Sequence, residues 1–216
     1  MFRQFRPLES GEFIVIGGDC SMGSGDRSCC QFLSKTKLDV PLVYHTDSTA
    51  TVMTNDIFPV LEKISDFTGV KPVIAYEQNN GGVFEMDRIA LLNKSNKYVP
   101  FLMPTVGTTE DGQTKKYGWS TNTATRPAML SQLKEAIDGR LFTLYDRETI
   151  KELLSFIKVK TTSTWKAQAE VNAHDDLVMS LAIAWQLYQM CEPTVLESSF
   201  EPRQREFDPI TGRLIS

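Results

Sequence analysis

The apolar positions of this 216-residue chain change their spacing repeatedly, and each change marks an element. Phe13-Ile14-Val15-Ile16, closed by Gly17-Gly18-Asp19, predicts a buried strand over 12–19. Ser21-Met22-Gly23-Ser24-Gly25-Asp26 is a turn sequence whose glycines supply the positive φ of a tight reversal. Ser28 to Leu33 then reads as the returning strand of a hairpin, and Val40 to His45 as a third strand. From Thr51 to Phe67 the spacing becomes helical, with Val52, Ile57, Val60, Leu61, Ile64 and Phe67 on one face and Pro59 as an expected bend. Gly69 to Pro72 breaks that helix, and Val73 to Glu77 is a short apolar strand ending in an acid.

Gly81-Gly82 leads into a second helix, with Val83, Phe84, Met86, Ile89, Ala90 and Leu92 as its apolar positions. Tyr98 to Met103 reads as a strand, and residues 104–127 shift to a long Thr-, Gly-, Asn- and Lys-rich loop of the kind that can clamp a ligand. Residues 127–139 and 147–157 read as amphipathic helices around a short strand, Arg140 to Leu144. Lys158 to Glu170 alternates as a hairpin, and 175–190 as a buried terminal helix. Residues 1–190 therefore form one domain, and 191–216, with prolines, charges and few core residues, a flexible tail. The order combines antiparallel strands with a parallel strand reached through a helix. It predicts an α/β fold with a mixed central sheet and helices on both faces.

Two of the apolar runs stop at an acid: Asp19 ends the first strand and Glu77 the fourth. Asp175 and Asp176 open the last helix. Each has a neutral reading. Asp19 beside a glycine turn suits a turn former, Glu77 an exposed strand end, and either aspartate a helix cap that complements the dipole. Brought together, such acids make a hard-cation site for Mg²⁺ or Mn²⁺ against phosphate oxygens. Two cations about 4 Å apart clamp a phosphate with two to four carboxylates.

The net charge of −4 argues against a protein that coats nucleic acid nonspecifically. It leaves a nuclease open, because bound cations reverse the local sign of an acid pocket. Four cysteines without a CxxC pair and two histidines, His45 and His174, are a poor zinc inventory and no disulfide framework. The first residues lack the apolar core of a signal peptide, and 177–190 falls short of the roughly 20 residues a membrane span needs. The expectation is a soluble, intracellular protein.

The strings Val15-Ile16-Gly17-Gly18-Asp19 with Gly25-Asp26, then Val73-Ile74-Ala75-Tyr76-Glu77-Gln78-Asn79, then His174-Asp175-Asp176-Leu177-Val178-Met179 resemble the nuclease motifs of tailed-phage terminase large subunits. Tyr117-Gly118-Trp119-Ser120-Thr121-Asn122 and the Arg126-Pro127 helix start also match, so the likeness runs from about residue 12 to 190. The resemblance implies a ribonuclease H-like fold, in which the first strand is central and Asp19 lies beside the strand carrying Glu77. It implies an endonuclease that cuts double-stranded concatemeric DNA, with little sequence preference, during capsid packaging. Asp19, Glu77 and one or both of Asp175 and Asp176 would be its catalytic, metal-binding acids for two Mg²⁺ or Mn²⁺ ions. The family's partners would be a portal protein, a small terminase subunit and a packaging ATPase domain, and its place the host cytoplasm rather than the virion.

The chain departs from the family at two points. It has no GxxxxGK[ST] sequence, so the packaging ATPase is missing from it and an excised nuclease domain, or a shortened protein that packages nothing alone, is expected. Where some members carry an acid one turn into the last helix it has Met179, which predicts a weak second metal. Lys115 and Lys116 beside Tyr117 and Trp119, and Lys158, Lys160 and Lys166 on the hairpin, are candidate DNA contacts or simply solvated surface. Asp26 and His174 are further candidates near the acids. Two rival readings stand: a resolvase or recombinase of the same fold, and a catalytically idle docking module of a packaging motor.

Overall fold

The computed structural model describes residues 1–21, 27–103, 116–160, 165–169 and 174–196, with the backbone alone for 156–160 and 165–169. A three-residue strand that no sequence pattern signals, β1 (Phe2–Gln4), comes first. The meander follows as expected: β2 (Ile14–Asp19), β3 (Ser28–Ser34) and β4 (Asp39–Thr46). Next come α1 (Ala50–Thr68), β5 (Val70–Lys71), β6 (Val73–Tyr76) and α2 (Gly82–Leu92). Then follow β7 (Val99–Pro100), β8 (Leu102–Met103), β9 (Lys116–Tyr117), α3 (Thr125–Asp138) and α4 (Arg147–Ser155). The hairpin β10 (Phe156–Lys160) and β11 (Trp165–Ala169), the helix α5 (Asp176–Met190) and β12 (Thr194–Val195) complete the described chain.

Six strands form the main sheet in the order β1-β4-β3-β2-β6-β7. β2 runs antiparallel to β3 and parallel to β6, with Gly18 opposite Tyr76, and β6 is parallel to β7. This is the expected mixed sheet. The strand period of two splits β2 between two cores: Ile14 and Ile16 pack with α1 and α2, while Phe13 and Val15 pack with α3 and α5. Because both faces are covered, all six residues of β2 are buried, which is why that segment reads as a continuous apolar run. α5 is buried along most of its length, from Asp176 to Leu187, and packs across β2 and β3.

Several expectations need correction. The inward face of α1 is Ala50, Met53, Ile57, Leu61 and Ile64, with Thr54, Ser65 and Thr68; Val52 and Phe67 are 41% and 63% exposed. Small and polar side chains take inward places there that an apolar search assigns to Val52 and Phe67. Pro59 lies inside the helix, as expected. On α2, Met86 and Ile89 face the core, but Phe84 is exposed and Glu85 is buried. Residues 140–144 form no strand but one bridge, Asp39 to Thr143, because β1 already covers β4 at Leu42 to Tyr44. The strand expected over 98–103 divides: β7 stays on the main sheet, and β8 leaves it to pair with β9.

The tail begins anchored, since β12 pairs antiparallel with β5, Thr194 opposite Lys71. The remainder from residue 197, the 22–26 turn with Asp26, and residues 104–115 with Lys115 lie outside the described residues. No described helix is long and apolar enough to cross a membrane.

Candidate active site

Parallel pairing of β2 with β6 puts their C-terminal ends on the same edge of the sheet, and each end carries an acid. Asp19 is the last residue of β2, 7% exposed. Glu77 follows β6, is equally buried, and its amide donates to the Gly18 carbonyl at 2.7 Å. The other side of Glu77 is held by the 117–119 segment. Gln78 N–H donates to Trp119 O at 2.8 Å, and Trp119 N–H donates to Tyr76 O at 2.7 Å. Gly118 makes that approach possible: its φ is +96°, and a Cβ there would stand 2.6 Å from Tyr76 O. Gly82 is equally constrained, because a Cβ would stand 1.8 Å from Glu77 O. Asn79 Nδ2 donates to Glu77 Oε1 at 3.1 Å.

The third station comes from α5, whose first turn carries Asp176, 8% exposed. Its Oδ2 accepts from the Arg27 amide at 3.3 Å and lies 3.5 Å from His174 Nδ1. Asp175 is turned toward α3 instead: Arg126 Nη2 stands 2.5 Å from its Oδ2, and both side chains are about one-third exposed. Asp175 occupies the N-cap position yet makes no capping hydrogen bond.

These carboxyls feel one another. Burial, then the charge of Glu77 and a hydrogen bond with its carboxyl, then Asp176 and Asp175, hold the Asp19 proton affinity well above the usual carboxylate range. Burial likewise pushes up the thiols of Cys20, Cys29 and Cys30, which keeps them neutral and unsuited to bind a metal as thiolates. Buried oxygen donors that repel one another are the donor chemistry of a hard divalent cation. Among the described residues, no three His, Cys, Asp or Glu side chains are gathered into a cluster that could hold a metal ion. The fit therefore rests on the Asp19–Glu77 pair, to whose negative field the Asp176 carboxylate adds its charge.

Sequence reading missed one acid here. Glu152 of α4 reaches the start of α5, where its Oε2 accepts from Leu177 N–H at 2.9 Å. Its pKa is pushed up to about 7, chiefly by burial and also by Asp176, against the hydrogen bonds from Leu177 and Val178 N–H and the charge of Arg27. An acid in an amphipathic helix carries no local sign of such a contact. With Arg27, Glu148, Lys151, Ser155 and His174 it lines a cleft of about 290 Å³ next to Asp176.

Of the basic candidates, Lys116 is exposed in β9, opposite Met103. Lys158 and Lys160 lie on β10 and Lys166 on β11, where it is paired with Val159. Met179 is buried in the core under the sheet.

No family model and no curated protein matches the sequence. Solved structures do match. The large terminase nuclease domain of Thermus phage P74-26 is 19% identical, with 87% of this chain and 84% of that one covered at a TM-score of 0.58. The large terminase nuclease of thermophilic phage G20c, solved with bound magnesium, is 21% identical over 85% and 84% at 0.57. The human cytomegalovirus terminase nuclease domain, soaked with manganese, is 11% identical over 88% and 96% at 0.53. This chain has the ribonuclease H-like fold of the nuclease domains of viral large terminases.

Proposed function

We propose that this chain is a metal-dependent endonuclease that hydrolyses phosphodiester bonds of double-stranded DNA with little sequence preference, as the cutting domain of a genome-packaging terminase. The observation that carries the reading is the buried Asp19–Glu77 carboxyl pair at the ends of two adjacent parallel strands, with the charge of Asp176 felt at Asp19. A structure has little use for acids buried against one another unless a cation offsets their charge. The fold agrees with this reading.

Mg²⁺ or Mn²⁺ bound there supplies Lewis-acid activation of water and stabilisation of the leaving oxygen. Asp19, whose carboxyl senses both other acids, would hold the ion together with Glu77 and Asp176. Asp175, engaged by Arg126, is the weaker donor. With Met179 in place of a further acid, the second ion is the weaker one. Lys116 and the hairpin lysines Lys158, Lys160 and Lys166, with Lys115, are assigned to the DNA backbone.

The partners are double-stranded DNA and, through the rest of a motor, a portal protein, a small terminase subunit and an ATPase domain. In a large terminase from another thermophilic bacteriophage, the matched region is 41% of that chain, in keeping with a nuclease domain of a longer protein. The setting is the host cytoplasm, outside the finished virion, and the domain spans 1–190.

The test is cleavage of plasmid DNA in Mg²⁺ or Mn²⁺ by the wild type and by Asp19→Asn. Cleavage by the former and none by the latter, with the fold unchanged, is the expected result; full activity of the variant in Mn²⁺ refutes the assignment. A second reading, a docking module without catalysis, draws on the lack of a three-ligand cluster among the described residues. It expects neither cleavage nor a rise in melting temperature with Mn²⁺.

A further inference from the structure

The N-terminus of α5 is capped from elsewhere in the fold. Asp175 stands where a capping side chain belongs, but its carboxylate is drawn to Arg126 of α3 at 2.5 Å. The orphan donors of the first turn are met instead by Glu152, which lies on α4 and accepts from Leu177 N–H at 2.9 Å and also from Val178 N–H. Leu177 immediately follows Asp176, so the contact fixes the backbone from which that carboxylate projects. α4 is itself locked to the sheet beneath: Thr149 Oγ1 accepts from Gln31 Nε2 at 2.8 Å, and Gln31 is fully buried in β3. Glu152 thus ties the turn carrying Asp176 to the same sheet that carries Asp19.

We propose that Glu152 is a positioning residue for the acid site: by taking over the cap of α5 it holds Asp176 toward Asp19 and Glu77 and leaves Asp175 to Arg126. This rests on the nuclease reading above. Glu152 is not assigned as a ligand, because its Oε2 is occupied by the Leu177 amide.

The experiment compares the wild type with E152A and E152Q in three measurements. These are hydrogen exchange at the Leu177 and Val178 amides, Mn²⁺ affinity by calorimetry together with the Mn²⁺ dependence of plasmid cleavage, and DNA binding in EDTA. E152A should expose both amides to exchange and weaken Mn²⁺ about tenfold, the usual loss on removing a support behind a metal ligand. DNA binding in EDTA should be unchanged, and E152Q, which keeps an acceptor oxygen, should recover Mn²⁺ affinity to within about threefold of the wild type. If E152A does not fold, E152D carries the same expectation, since its carboxylate is one methylene too short for the amide. Amides that stay protected overturn the proposal. So does wild-type Mn²⁺ affinity in E152A once its amides are exposed, which leaves a structural cap only. A wild-type protein that neither binds Mn²⁺ nor cuts DNA overturns the nuclease reading itself and leaves Glu152 nothing to position, a result distinct from either of those.

Discussion

Gly17 of β2 lies backbone to backbone against Ser180 of α5: a Cβ at position 17 would stand 2.2 Å from the Ser180 carbonyl oxygen and 2.3 Å from Ala184 N. Asp19 is two residues along from one partner, and Asp176 one helical turn back from the other. The contact therefore sets how near the two acids stand.

Gly17→Ala should accordingly fail in two ways. The methyl group meets backbone rather than a movable side chain, so α5 must lift, at a cost of about 3 kcal/mol or more. For a chain of this size that is a drop of roughly 6–12 °C in melting temperature, readable by scanning calorimetry. Any protein recovered should have lost cleavage out of proportion to its lost stability.

Asp19→Asn should behave in the opposite sense. Removing one of two buried, mutually repelling carboxyls should leave the metal-free melting temperature equal to that of the wild type or higher by roughly 2–4 °C. Mn²⁺ at a hundredfold excess over its dissociation constant should stabilise the wild type by about 2.7 kcal/mol and the variant hardly at all. A variant that melts well below the wild type in EDTA would show Asp19 to be a structural residue.

The two aspartates of α5 should separate. Asp176 is buried and hydrogen-bonded on the site side, while Asp175 is ion-paired with Arg126 at a partly exposed position. Asp176→Asn should lower cleavage about 100-fold or more, and Asp175→Asn only about tenfold, the lower end of the range for a supporting group. Equal losses in side-by-side plasmid assays would contradict the assignment.

Acid stability should depend on Asp146, buried at the start of α4. Its Oδ2 accepts from the Thr149 amide at 3.0 Å and hydroxyl at 2.7 Å, and pairs with Arg3 at 2.8 Å. Burial raises its pKa, but those partners outweigh it and hold the folded value below the ordinary 3.8. A depressed folded pKa gives stability that is present above 3.8 and lost as the pH falls through the folded value. Asp146→Asn should cost about 1–2 kcal/mol at pH 7, and the gap to the wild type should close below about pH 4 in denaturant melts.

Much of this was legible in the chain. The run Phe13 to Ile16, the hairpin after it and the uninterrupted apolar stretch of α5 announce their elements, because a strand or helix covered on all sides must be apolar throughout. The ends of β2 and β6 were equally legible, each marked by an acid after an apolar run. Where burial is partial, the pattern misleads. Val52 and Phe67 are apolar yet face outward, and Thr54 and Ser65 are polar yet face inward, since a helix that packs closely favours small side chains at its contact line.

Local spacing determined which segments become strands and helices, and which acids fall at their ends, because both depend on neighbours a few residues apart. Only the tertiary structure decided which of those acids meet. The parallel register that sets Glu77 beside Asp19, the bare backbone of Gly17 that admits α5, the pairing of Arg126 with Asp175 and the capping of Leu177 by Glu152 all join residues well separated along the chain. Packing between distant elements chooses such partners, and packing has no period along the chain.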